Sequence, residues 1–416
     1  LEEAKRHVLA GALPLHPRAV PLEDALGCVT SVPVTAEEAV PPFANTAMDG
    51  YALRAADVAA ATAAAPVRLP VVAEIAAGHP APRALETGEA MRIFTGAPMP
   101  DGADAVVMVE RTERLDDGAH VAVLEAVPAG NHIRPAGDDV QAGDVVLESP
   151  MVLGAGALAV LASVGRTEVL AFPRPRVGVL STGDELVEGG APLAPGQIRE
   201  TNRVALCALV AEAGWEVVDL GIVSDDEDAI TAAVVDGVAR CDALLTTGGV
   251  SMGDIDLVRV VLDRLADDMR WMQIAIKPAK PFAFGVVRDG SRRVPVFGLP
   301  GNPVSSMVSF ELLARPALRQ MAGHESGALE REVVRARALQ PLARRPDGKT
   351  HLLRVVVDGS EGDYTIELAG GQGSHQLSAM ARANGLAVLE DGDGAQAGDL
   401  VPVLVTGTIG PRTLRR

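Results

Sequence analysis

DALLTTGGVSMGDID, residues 242–256, runs from an apolar strand-like segment into paired glycines, small hydroxyl residues and acids. Val258, Val261, Leu262 and Leu265 follow at helical spacing, so the stretch reads as strand, tight turn and amphipathic helix, with Asp254 as the cap. The pattern recurs three times between Arg176 and Ser305: RVGVL before STGDE (Ser181–Glu185), VVDLGIV before SDDED (Ser224–Asp228), and VPVF before GLPGNPVS (Gly298–Ser305). Strands alternating with helices in this way predict a doubly wound α/β sheet. Ligands of such sheets sit beyond the carboxyl ends of the strands, so the four loops are expected to converge on one crevice.

The whole chain has 416 residues, 22% charged and 48% apolar, which predicts an ordinary globular protein of several domains. Its longest apolar stretch, Met151–Val164, falls short of the roughly 18 residues of a membrane span. The opening LEEAKRHVLAGAL lacks a signal-peptide pattern, and Cys28, Cys207 and Cys241 have no CxxC spacing. A cytoplasmic protein with buried thiols and no membrane partner is expected. A net charge of −18 argues against nonspecific nucleic-acid binding. Against that acidity, lysine occurs only at Lys5, Lys277, Lys280 and Lys349, and two of the four stand in IKPAKPFAFG (Ile276–Gly285). Flanked by Pro278 and Pro281, Lys277 and Lys280 are candidates for an oxyanion contact.

Residues 1–40 read as an amphipathic helix, a turn at Pro14–Pro17 and a short helix around Leu22–Leu26, followed by an irregular loop over 41–51. Short strands and turns fill Val67–Val127, and Leu153–Val164 returns to helix, expected to pack against the amino-terminal one. Beyond Glu325 the strands HLLRVVV, YTIELA, LAVLE and LVPVLV predict a β-barrel or sandwich. The expected division is a discontinuous N-terminal helical domain (1–50 and 137–172), a β-rich lid (51–136), a central doubly wound α/β domain (173–325) and a C-terminal β-barrel (326–416). GAGALA (Gly154–Ala159) and ARRPDGKT (Ala343–Thr350) only superficially fit nucleotide-binding fingerprints, because the first lacks a preceding strand and the second runs into one.

The loops carry a contradiction. Glycine-rich turns at helix starts attract an anion, yet Asp184, Glu185, Asp225, Asp226 and Asp256 repel one. At 4 Å and an effective dielectric near 20, each like-charge pair costs about 4 kcal/mol. A divalent cation bridging carboxylates and a phosphoanhydride resolves the conflict, and oxygen ligands suit Mg²⁺. The site should bind a phosphorylated small molecule with a metal.

PPFANTAMDGYA (Pro41–Ala52), RIFTGAPMPDGADAVV (Arg92–Val107), IRPAGDDV (Ile133–Val140), LSTGDEL, TTGGVSMGDID, IKPAKPFAFG, LPGNPVS and GSHQLSAMARANGL (Gly373–Leu386) occur in one order. In that order the chain resembles the molybdopterin molybdenumtransferase family, which includes the C-terminal enzyme domain of gephyrin, over essentially its whole length. The resemblance implies a homodimer whose cleft uses both chains. It also implies insertion of molybdate into the dithiolene of adenylylated molybdopterin, with Mg²⁺-dependent release of AMP, alongside other molybdenum cofactor biosynthesis enzymes. By motif, the functional acids are Asp49, Asp139, Glu185, Asp225 and Asp256, with Asp225 and Asp256 at the metal. Thr95, Arg134, Thr182, Gly248, Gly249, Ser251, Gly253, Pro300, Gly301 and Pro303 match substrate-binding positions. Lys277, Lys280, Arg354 and Ser374 match the molybdate side. Asp138 stands where Glu is expected, and Gln273 where some relatives carry a basic residue.

Two other readings compete: a molybdopterin adenylyltransferase, which needs only the α/β domain, and a gephyrin-like scaffold without catalysis. Molybdate-dependent AMP release marks the transferase, and pyrophosphate release from ATP marks the adenylyltransferase. The implied dimer has its own test. Mixing Asp49→Ala chains with Asp256→Ala chains should restore activity in about a quarter to a half of sites, by random assortment of subunits. Absence of rescue in verified heterodimers contradicts it.

Overall fold

Residues 1–249, 256–360 and 362–409 are described by the computed structural model. The chain forms two compact units: one of Leu1–Val20, Gly27–Ser31 and Leu170–Arg416, the other of Pro21–Leu26 and Val32–Val169. No helix among the described residues is long and apolar enough to cross a membrane.

The second unit is built on a six-stranded sheet, in the order Ala105–Met108, Gly50–Leu53, Ala90–Ile93, Val67–Ile75, His120–Val123 and Thr112–Leu115. Tyr51, Leu53 and Val107 point into one apolar cluster, Ala52, Met91 and Val106 into another. Both faces are therefore covered. That burial hides the Gly50–Leu53 strand from a sequence reading, because a strand buried on both sides shows no alternation. Gly50 is required there: a Cβ would lie 2.1 Å from the Val107 carbonyl oxygen.

In the first unit the central sheet comprises β1 (Arg176–Thr182), β2 (Glu216–Val223), β3 (Ala243–Thr247), β4 (Ala266–Gln273), β5 (Pro281–Asp289) and β6 (Arg292–Leu299). Their order is β2-β1-β3-β6-β5-β4. The first four in this order pair in parallel, and β5 and β4 continue the sheet antiparallel. Every strand that leads into one of the four glycine- or acid-rich loops thus belongs to the parallel half. Helices cover both faces. Leu206 and Val210 of Asn202–Glu212 pack with Val177, Val179 and Phe297 on one side. Ile230 and Val234 of Glu227–Arg240, with Val258 and Val261 of Leu257–Leu265, pack with Leu180 and Val296 on the other. Residues alternate faces along each strand, as period-2 geometry requires.

The amino-terminal helix Glu2–Gly11 lies in this unit, which differs from its expected pairing with the helix at Ala155–Ser163. Its apolar stripe is completed elsewhere. Ala4 and Val8 join the core of Phe284 and Phe310, the His7 ring meets Phe284 edge-on at 5.5 Å, and the Gln320 amide donates to the Leu9 and Ala12 carbonyls at 2.7 Å. The Ala155–Ser163 helix packs instead on the turn Leu22–Asp24 and the strand Val145–Leu147.

Five strands close a barrel at the carboxyl end: Val333–Ala338, Thr350–Ser360, Asp363–Leu368, Gly385–Leu389 and Leu400–Val405. Ile276–Lys277 adds to it in parallel, opposite Thr350 and His351. This pairing hydrogen-bonds the lysine-bearing loop to the barrel.

Phe284→Ala should cost about 3–5 kcal/mol, the usual range for a buried aromatic. Urea unfolding at a lower midpoint, with faster hydrogen exchange in the Glu2–Gly11 amides, is the expected result.

Candidate functional site

The parallel strands deliver their loops side by side. Thr182 closes β1, and the turn at Gly248, with φ +93°, lies so close that a Cβ there would sit 2.7 Å from the Thr182 carbonyl oxygen. Asn202 ties the next loops together, its amide donating to Thr247 Oγ1 at 2.8 Å and to the Gly301 carbonyl at 2.7 Å. The Thr247 hydroxyl also reaches the Pro300 carbonyl at 3.3 Å. Thr182, Gly248, Gly249, Pro300 and Gly301 therefore lie together as one backbone-lined floor. Ser251 and Gly253 lie outside the described residues.

The acids around this floor are held by amides. The carboxylate of Asp184 accepts the Asp225 N–H at 3.1 Å, and that of Asp225 accepts the Asp184 N–H at 3.4 Å. The two loops are clasped reciprocally. Asp226 caps the helix Glu227–Arg240 through the Ala229 N–H at 2.9 Å. Glu185 is exposed, its carboxylate folded back over Gly183. Below the loops, the buried Glu200 accepts from the Ser181 hydroxyl at 3.1 Å and from the Arg203 N–H at 2.6 Å. Arg203 is in turn ringed by Glu188 and Asp219.

One capping expectation is corrected, and a second helix start is capped differently from its sequence pattern. Leu257–Leu265 is capped by Asp256, whose carboxylate accepts the Arg259 N–H at 3.2 Å. Asp254, expected in that role, lies outside the described residues; the helix starts later, so Asp256 falls at the N-cap. Asn302 occupies the N-cap position of Pro303–Ser309 without a side-chain cap bond. The reason is local: the Val304 N–H, a natural target for that cap, goes to the Ser374 carbonyl at 3.1 Å.

That bond joins the Pro303 turn to the barrel loop carrying Ser374. In the same loop the Gly371 and Gly373 carbonyls accept from Arg354 Nη2 at 2.7 and 3.1 Å. Arg354 is 0% exposed, and its Nε and Nη1 have no hydrogen-bond partner among the described residues. It pairs with no carboxylate there, and burial pulls its pKa below the ordinary arginine value. Lys277 and Lys280 are exposed on either side of Ala279, whose φ of +78° is a left-handed conformation costing a non-glycine residue about 1–2 kcal/mol. Lys277 lines a cavity of about 350 Å³ with Gln372. The Gln372 side chain accepts the Arg354 N–H at 2.9 Å.

In the other unit, Asp49 Oδ1 accepts both the N–H of Thr95 at 2.8 Å and its hydroxyl at 2.7 Å. These bonds, with a smaller pull from Arg92, hold its carboxyl below the usual Asp range. Arg134 is exposed on a two-residue strand paired with Asn45–Thr46. Asp139, also exposed, is fixed by its N–H to the Val40 carbonyl at 3.0 Å. Asn202 and Thr247 escaped the sequence reading. Asn202 stands about 20 residues beyond STGDE, where no local pattern marks it.

Among the described residues no group of three or more Asp, Glu, His or Cys converges as a ready-made metal cage. Mg²⁺ is commonly held by one or two carboxylates plus substrate phosphates and water, and the hard oxygen donors of the clasped loops fit that mode.

Three family models match successive parts of the chain: "MoeA N-terminal region (domain I and II)" at residues 1–165, "Probable molybdopterin binding domain" at 178–320, and "MoeA C-terminal region (domain IV)" at 335–406. The molybdopterin molybdenumtransferase of Haemophilus influenzae is 36% identical over 92% of both chains. Molybdopterin molybdenumtransferase 2 of Mycobacterium tuberculosis is 38% identical over 93% of this chain and 94% of its own. A crystal structure of a molybdopterin biosynthesis MoeA protein from Pyrococcus horikoshii superposes with a TM-score of 0.77, at 31% identity over 98% of both chains.

A depressed pKa makes Asp49 a stabilising carboxylate above the unfolded Asp pKa, and that contribution fades as pH falls through its folded value. A ¹³C carboxyl titration should place its midpoint below that of an unperturbed Asp. Thr95→Ala, which removes the hydroxyl bond and keeps the amide one, should move the midpoint part of the way up.

Proposed function

Because this chain belongs to the molybdopterin molybdenumtransferase family, we propose that it inserts molybdate into the dithiolene of adenylylated molybdopterin and releases AMP. The observation that carries this reading is the buried, uncompensated guanidinium of Arg354. An unpaired buried charge costs several kcal/mol, and a compact dianion is the natural partner for a guanidinium whose remaining donors are unused. Lys277 and Lys280 supply further positive charge on the loop that pairs with the barrel, and the fold of the Ser374 loop holds Arg354 in place.

The floor of Thr182, Gly248, Gly249, Pro300 and Gly301 takes the pterin and its phosphate, with the non-proline amides as donors; Ser251, Gly253 and Pro303 join this set by motif alone. Asp225 and Asp256 would hold Mg²⁺, which when bound neutralises charge on the phosphoanhydride. Asp184 orients Asp225 through the reciprocal amide bonds, and Glu185 stands at the same strand end. Asp49, kept ionised by Thr95, can orient a hydrogen-bond donor but is not poised to give up a proton. Arg134 and Asp139 complete the polar set carried over by motif. A homodimer in the cytoplasm, working beside other enzymes of the same pathway, belongs to this proposal.

The test is a molybdate titration of AMP release. Lys277→Ala and Lys280→Ala should each raise the half-saturating molybdate concentration about tenfold to a hundredfold, from roughly 1.5–3 kcal/mol per charged hydrogen bond. Arg354→Met should do the same while the protein stays folded, because removal of an uncompensated buried charge offsets the lost bonds to the Gly371 and Gly373 carbonyls. Unchanged molybdate dependence in all three variants refutes the assignment.

A further inference from the structure

A second cavity, of about 600 Å³, opens at the other end of the central sheet, where β1, β2, β3 and β6 begin. Its volume lies within the range of small-molecule sites. The seven residues of β1 put it roughly 20 Å from the loops at the carboxyl ends, at about 3.3 Å per residue.

Its chemistry runs against that of the whole molecule. The chain carries a net charge of −18, yet Arg18, Arg174, Arg176, Arg292 and Arg293 all line this one cavity, with His16 beside them. Among the described residues, the carboxylates of the lining are Asp242 and Glu216, which leaves the five lining arginines three positive charges in excess. Two of the arginines are framework. Asp242 grips Arg176 through both oxygens, at 3.1 Å from Nε and 2.9 Å from Nη2. Arg292 donates to the carbonyls of Val238 and Ala239 at 3.1 and 3.0 Å and pairs with Asp289 at 3.2 Å. These contacts fix two guanidinium planes at the rim before anything binds. Arg18 and Arg293, by contrast, are exposed and make no ion pair among the described residues. Leu15, Val294 and Met321 provide apolar wall between the charges.

We propose that this cavity is a binding site for a small organic phosphate carrying two or more negative charges, its phosphoryl oxygens on Arg18 and Arg293 and its carbon body against Leu15 and Met321. Guanidinium forks match phosphoryl oxygens bidentately. The fixed Arg176 and Arg292 contribute field without having to be ordered on binding, which lowers the entropic cost. The site is separate from the strand-end loops, and its occupation requires neither molybdate nor turnover.

The probe is inorganic pyrophosphate, titrated calorimetrically into the full chain without Mg²⁺ at two salt concentrations. Saturable binding that weakens with salt is expected. Arg18→Ala/Arg293→Ala should weaken it at least tenfold while circular dichroism shows an unchanged fold, both side chains being exposed. Lys277→Ala/Lys280→Ala should leave this binding in place. Loss of pyrophosphate binding in the lysine variant with retention in the arginine variant overturns the proposal, as does heat that never saturates. Citrate binding as tightly as pyrophosphate, with the same response to the arginine variant, would overturn the phosphoryl assignment. Because the readout is binding, failure of the transferase reading would leave it intact.

Discussion

Parallel pairing of β1, β2, β3 and β6 is the constraint on which the strand-end site depends. Antiparallel neighbours can be joined by a hairpin, but parallel strands need a crossover, so every strand in the run ends at the same edge. Four loops separated by up to about 120 residues are thereby stacked within hydrogen-bond reach. Asn202 bridging Thr247 and Gly301, and Thr247 reaching Pro300, are consequences of that register. The antiparallel continuation through β5 and β4 has a different use. It turns the chain so that Ile276–Lys277, just before β5, pairs with Thr350–His351 and brings the lysine loop to the barrel.

Electrostatics then sorts the molecule into regions. An acidic chain tolerates cationic spots only where something offsets their mutual repulsion or where a ligand is meant to. Arg203 shows the first case, ringed by Glu188, Glu200 and Asp219 as a structural node beneath the loops. Arg331 shows it again, held by Glu311 at 2.9 and 3.0 Å. Arg354 is the opposite case: buried, bonded only to carbonyls on one nitrogen, and without a counter-ion among the described residues. A fold that can surround Arg203 with carboxylates has no steric reason to leave Arg354 without one. In the function proposed above, the missing charge is the substrate's.

Much of this was legible in sequence because the decisive signals are local. Apolar runs ending in glycine or acid mark β1, β2, β3 and β6, and helical spacing marks the segment from Val258 to Leu265. The losses are equally physical. Gly50 and Tyr51 read as the end of the 41–51 loop, because the strand Gly50–Leu53 is buried on both faces and shows no alternation. The home of the Glu2–Gly11 helix was misjudged because an apolar stripe does not say which surface covers it; Phe284, far along the chain, decides that. Asn202 and Thr247 were missed because their role exists only once two strand ends meet. Arg354 was matched by motif alone, and nothing local in HLLRVVV foretells that its guanidinium is fully buried.

Capping and chemistry are not rival explanations for the acids of the site. A helix N-terminus leaves its first N–H groups without partners inside the helix, and a carboxylate that accepts one of them becomes oriented and remains charged. Asp256 and Asp226 are anchored in this way, Asp184 and Asp225 by each other's amides, and Asp49 by the amide and hydroxyl of Thr95. Hydrogen bonds to the ionised form also favour it, so the bond that positions Asp49 is the bond that keeps its proton off. Substituting such an acid removes a local structural contact and an oriented charge together. Loss of activity alone therefore does not separate the two roles, whereas a change in metal or molybdate dependence in a folded variant does.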